Sequence, residues 1–90
     1  MTVRFSRRAL THLAHIRAYI REQRPAAAEL VRGRIIASIE TLQELPQLGR
    51  PGQRKGTREL VVAGLPYIVV YRADAEQLVI LGIFHGAQDR

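Results

Sequence analysis

Cysteine is absent from the 90 residues, which excludes disulfides and thiolate metal sites. That absence fits a reducing compartment. Long apolar runs are missing as well. The stretches at residues 60–63 and 79–84 fall far short of the roughly 20 residues that a membrane-spanning helix needs. Met1-Thr2-Val3-Arg4-Phe5 provides no apolar run that could act as a signal peptide. The expectation is a cytoplasmic protein with no membrane contact. No repeat and no low-complexity segment interrupts the chain, and ninety residues leave no space for a second independent core. Residues 1–90 are therefore expected to form one domain. Acidic side chains are also scarce: eight Asp and Glu stand against fourteen Lys and Arg, for a formal charge of +6. Thirteen of the fourteen cations are Arg, whose planar fork grips carboxylate or phosphate through two parallel hydrogen bonds. This balance favours a polyanionic or acidic partner.

What is present reads as an α+β pattern, β-α-α-β-β-β, with a helical hairpin on a small, mainly antiparallel sheet. Val3 to Phe5 is a short strand candidate, and Ser6 is a reasonable helix N-cap. Ala9, Leu13, Ile16 and Ile20 recur at helical spacing over residues 6 to about 24. Pro25 stands where the first position of a second helix is expected. The stripe of that helix is Ala28, Val31, Ile35, Ile39 and Leu42, stopped by Pro46. Gly49, Pro51, Gly52 and Gly56 give residues 47–57 a loop composition. Strands follow at residues 58–63, 67–72 and 77–85, separated by Gly64-Leu65-Pro66 and by residues 73–76. Apolar residues on both faces of the last two strands predict a sheet well covered by the helices.

Four segments in order carry a resemblance. Leu45-Pro46-Gln47-Leu48-Gly49-Arg50-Pro51-Gly52, Gly56-Thr57-Arg58-Glu59-Leu60, Tyr67-Ile68-Val69-Val70-Tyr71-Arg72 and Ile80-Leu81-Gly82-Ile83-Phe84-His85-Gly86-Ala87-Gln88-Asp89 resemble the corresponding motifs of the RelE/ParE superfamily, in its ParE-like branch. The resemblance implies the toxin component of a type II toxin–antitoxin system, bound by a cognate antitoxin in a hetero-oligomer. RelE-like members cut messenger RNA on the ribosome, and ParE-like members poison DNA gyrase. No cofactor and no metal are expected.

Metal-free RNA cleavage needs a proton acceptor and cations for the phosphorane. The candidates are His85, Arg58, Arg72 and Arg90, with His85 the best acid–base group by its reference pKa. The bland alternative is that His85 merely closes the last strand, while Arg58 and Arg72 fix the sheet ends by pairing with Glu59, Asp74 or carbonyls. In an antiparallel meander His85 should approach Tyr67 and Ile68, whereas Arg58 and Arg72 lie at the opposite end. As the resemblance aligns them, RelE-like ribonucleases carry cations about where Ile68 and Gly86 stand here. Neither Ile68 nor Gly86 can neutralise phosphate, which favours the gyrase-directed branch over a ribosome-dependent endoribonuclease. A third reading is an inactive toxin fold that only binds antitoxin and operator.

Partner-binding candidates form two groups. Arg17, Arg21 and Arg24 lie along one side of the first helix, suited to an acidic, amphipathic antitoxin segment. Arg50, Arg54, Lys55 and Arg58 form a cationic stretch with no acid between Glu44 and Glu59, suited to phosphates or to the antitoxin. His12, His15 and Tyr19 are expected on the surface of the first helix, since no third ligand accompanies the His pair. Two departures from ParE-like chains stand out: Gly82 where Arg is frequent, and Arg90 near a position that is often bulky or aromatic.

Overall fold

A computed structural model describes residues 1–86. Strand β1 (Thr2–Phe5) leads into helix α1 (Arg7–Gln23); a 3-10 turn (Pro25–Ala27) joins it to helix α2 (Ala28–Glu44). Strands β2 (Arg50–Pro51), β3 (Arg58–Val61), β4 (Tyr67–Ala73) and β5 (Gln77–His85) follow. The sheet order is β1-β5-β4-β3-β2. Among the described residues only the β1–β5 pair is parallel, with Thr2 opposite Gln77 and Phe5 opposite Ile80; the other pairings are antiparallel.

Local chemistry accounts for the boundaries. The Ser6 hydroxyl accepts from the Ala9 N–H at 3.0 Å, satisfying one of the orphan donors that open a helix. At the far end the Arg24 N–H still reaches the Ile20 carbonyl, and Pro25, which has no N–H to place, starts the 3-10 turn. The second helix therefore begins at Ala28, three residues later than Pro25 alone suggests. Gly64, at φ +73°, makes the turn into β4 by adopting a backbone region that side chains disfavour. The Asp74 carboxylate accepts from the Glu76 and Gln77 N–H groups at 2.8 and 2.9 Å and so closes the β4–β5 turn.

Both helices pack on one face of the sheet. Val31, Ile35, Ile39 and Leu42 of α2 and Ala9 of α1 meet Tyr67, Val69 and Tyr71 of β4 and Leu78, Ile80 and Ile83 of β5. Burying each large aliphatic side chain contributes about 1.5–3 kcal/mol. The step from Ile80 to Ile83 breaks strict alternation because the ladder slips: Tyr71 faces Ile80 while Val70 faces Gly82. The bulged residue, Leu81, joins Phe84 in lining the opposite face.

Three sequence expectations need correction. Residues 47–57 are not wholly loop, since Arg50-Pro51 pairs with Glu59 and Arg58; a two-residue strand carries no periodicity. The strand expected over residues 58–63 ends at Val61. The helices cover one face of the sheet and leave a cleft on the other.

Candidate functional site

The cleft lies on the uncovered sheet face and encloses about 440 Å³. Val70 of β4 with Leu81 and Phe84 of β5 make an apolar floor. One wall is the start of α1, with Ser6 and Arg8; the other is the β2–β3 loop, with Gln53, Arg54 and Lys55. Arg72, Thr57 and Glu59 complete the lining. The Arg8 guanidinium carbon sits 5.2 Å from the centre of the Phe84 ring, within the range of cation–π attraction.

Side chains of α1 hold the cleft wall. Strand β1 runs beside β5 only as far as Ile80, so the remaining edge of β5 needs other partners. Ser6 donates its hydroxyl to the Leu81 carbonyl at 3.0 Å, and the Ile83 N–H donates to His12 Nδ1 at 3.1 Å. His12 is half-buried, and its ring meets Phe84 edge-on at 4.7 Å. Burial, then the charges of Arg8 and His15, push its pKa below the ordinary value. The expectation that His12 lies on the surface is therefore corrected: Ala9 and Ile16, three and four residues away, frame it on the sheet-facing side. His15 and Tyr19 are exposed, as expected. Gly82 also has a steric reason here. A Cβ on it would come within 2.5 Å of the Phe84 ring and 3.3 Å of His12, so an Arg at this position requires Phe84 to move.

The loop wall is anchored from below. Tyr71 Oη accepts from the Gly49 N–H at 2.9 Å and donates to the Pro46 carbonyl at 2.8 Å. Arg58 donates to the Gly49 carbonyl at 2.8 Å. Arg50 reaches the buried Glu59 carboxylate at 3.2 Å, supplying the partner a buried charge requires. Arg50 and Arg58 thus hold the fold locally, while Arg54 and Lys55 line the cleft. The sequence suggests Glu59 as a partner of Arg58 or Arg72; in the structure it forms an ion pair with Arg50.

The ribonuclease candidates do not converge. His85 lies opposite Tyr67, their rings 5.8 Å apart, and Arg72 stands opposite Val79. The five-residue offset along β4 separates them by roughly 17 Å at the usual rise of a strand. Arg90 lies outside the described residues. Ile68 is buried opposite Phe84. Arg17, Arg21 and Arg24 are exposed; Arg17 and Arg32 flank a narrow seam between α1 and α2. Among the described residues no group of three His, Cys, Asp or Glu could hold a metal, and no helix is long and apolar enough to cross a membrane.

Sequence reasoning missed Arg8, Leu81 and Phe84 as cleft residues. One signal was present: Arg7 and Arg8 occupy the first turn of α1, which has no acid, where helix polarity favours carboxylates.

A helical hairpin on one face of a five-stranded sheet, with a cation-lined cleft on the other, defines a small two-layer α+β domain. Residues 3–90 match the family described as the ParE toxin of the type II toxin–antitoxin system parDE, and the chain belongs to that family. It is 44% identical over 86 residues to a Sinorhizobium fredii (strain NBRC 101917 / NGR234) protein called "Putative toxin Y4kP", covering 96% of this chain and 88% of the relative. Its fold is similar to that of a chain in the chromosomal ParDE system from P. aeruginosa, with TM-score 0.85, 24% identity, and 94% and 95% of the two chains covered. A chain of the RelBE2 toxin–antitoxin complex from Mycobacterium tuberculosis is also similar, with TM-score 0.60, 27% identity, and 93% and 95% covered.

Proposed function

We propose that the chain acts in the cytoplasm as a gyrase-directed toxin, working by protein–protein contact and neutralised by an antitoxin whose covering segment is acidic and amphipathic. Membership of the ParE family supports the toxin role. The observation that carries the choice of target is the separation of His85 from Arg72 along β4. General acid–base chemistry requires its groups within hydrogen-bond reach of one scissile phosphate, and these two residues do not meet that condition. The antitoxin reading is supported by the exposed cations of α1 (Arg17, Arg21 and Arg24) beside exposed Tyr19, a surface that suits a segment with both acidic and apolar side chains.

The test is DNA supercoiling by gyrase with the purified chain added. Loss of supercoiling, restored by antitoxin, is the expected result. Primer extension on ribosome-bound messenger RNA is the counter-test, and no cleavage is expected from the wild type. Ribosome-dependent cutting that vanishes in His85→Ala would overturn the gyrase reading.

A further inference from the structure

The uncovered cleft gathers cations in a way that its own fold does not require. Helix α1 opens with Arg7 and Arg8 and no acid, against the preference of a helix's positive pole. Arg8 is held at the cleft wall on Phe84. Arg54 and Lys55 stand on the opposite wall, with Arg72 in the same lining. Among the described residues four cations thus line one volume with a single carboxylate, Glu59, which already engages Arg50. Like charges gathered around a small cavity raise its energy when empty and lower it when an anion enters.

The shape of the floor restricts the anion. At about 440 Å³ the cleft falls within the range of small-ligand sites, and Val70 and Leu81 give it an apolar base. The backbone of β4 is bonded to β3 on one side and β5 on the other, so the floor has no main-chain partners for an extended acidic peptide. Such a peptide would bury its own amides unpaired. A phosphate attached to a flat ring avoids that penalty when the ring face lies on the apolar floor and its polar edge meets Gln53, Thr57 or solvent. An Arg guanidinium laid on an aromatic ring is also a platform on which nucleobases stack.

We propose that this cleft binds a nucleoside phosphate, either free or at the end of a single strand. The phosphate lies among Arg8, Arg54, Lys55 and Arg72, and the base rests on Leu81, Val70 and the Arg8–Phe84 stack. The proposal does not depend on the target assigned above, and its test uses neither gyrase nor antitoxin.

The experiment is calorimetric titration of the full chain with guanosine 5′-monophosphate and with a 5′-phosphorylated single-stranded trinucleotide. Inorganic phosphate and a glutamate-rich hexapeptide serve as comparators. Both nucleotides should bind more tightly than either comparator. The Arg54→Gln/Lys55→Gln pair, and separately Arg72→Gln, should each weaken binding about tenfold, the size of a lost charge-assisted contact. Arg17→Gln on the helical face should leave it unchanged. Equal affinity for the two nucleotides assigns the free form as ligand, and tighter binding of the trinucleotide assigns a strand end. The proposal is overturned if neither nucleotide binds in the millimolar range, or if inorganic phosphate or the hexapeptide binds as tightly. Indifference to the cleft variants would overturn it equally.

Discussion

The Tyr71 hydroxyl ties the end of α2 to the sheet. Its ring is fully buried, and its oxygen joins the Gly49 N–H to the Pro46 carbonyl. Tyr71→Phe removes both bonds while keeping the ring, leaving a donor at buried Gly49 without its partner. A loss of about 1–3 kcal/mol is expected, measured as a lower urea midpoint with unchanged slope. His12 makes a different prediction. Its Nδ1 accepts a hydrogen bond from the Ile83 N–H, which requires that nitrogen to be unprotonated, and burial with Arg8 and His15 lowers its pKa. The unfolded chain takes up the proton first. This contribution is complete above the ordinary value of 6.5 and is lost as pH falls from there towards the lower folded pKa. Melting temperature followed from pH 8 to about pH 5 should decline more steeply in the wild type than in His12→Asn.

Among the elements, the helices were the most legible in the sequence. Ala9, Leu13, Ile16 and Ile20, and then Val31, Ile35, Ile39 and Leu42, repeat at one helical period, and both ends carry a recognisable stop. β5 was legible from its long apolar run. What stayed hidden depends on contacts across the chain. A polar His12 inside an apolar stripe becomes an edge partner only once β1 ends short of β5. The cleft is hidden for the same reason, because Arg8, Arg72 and Arg54 come from three distant segments. Arg54 and Lys55 were legible as a cationic stretch suited to phosphates or to the antitoxin, but not as one wall of a cavity. Arg54→Ala/Lys55→Ala should change stability by no more than about half a kcal/mol, as surface substitutions do. Toxicity in cells lacking antitoxin should fall while antitoxin binding persists. A double variant that remains fully toxic would move the target-facing surface to the helical hairpin.

At the scale of the whole molecule, charge decides how partners approach. Thirteen Arg and one Lys against eight acids give a field that steers an acidic segment into contact, and salt screens that field. Affinity for the antitoxin should therefore fall across a salt series from low to physiological strength and beyond, mostly through the association rate; an affinity indifferent to salt would count against an acidic covering segment. The parallel pairing of Thr2–Phe5 with Gln77–Ile80 has a consequence in time. Strand β1 cannot pair until β5, more than 70 residues further along the chain, is in place, and β5 also supplies Leu78, Ile80 and Ile83 to the core. Such sequence-distant closure is slow relative to local helix formation. Without residues 77–85 the β2–β3–β4 pairings remain possible, but β1 has no partner and the cleft lacks Leu81 and Phe84. Docking of β5 is thus one event that completes the sheet, the core and the cleft together.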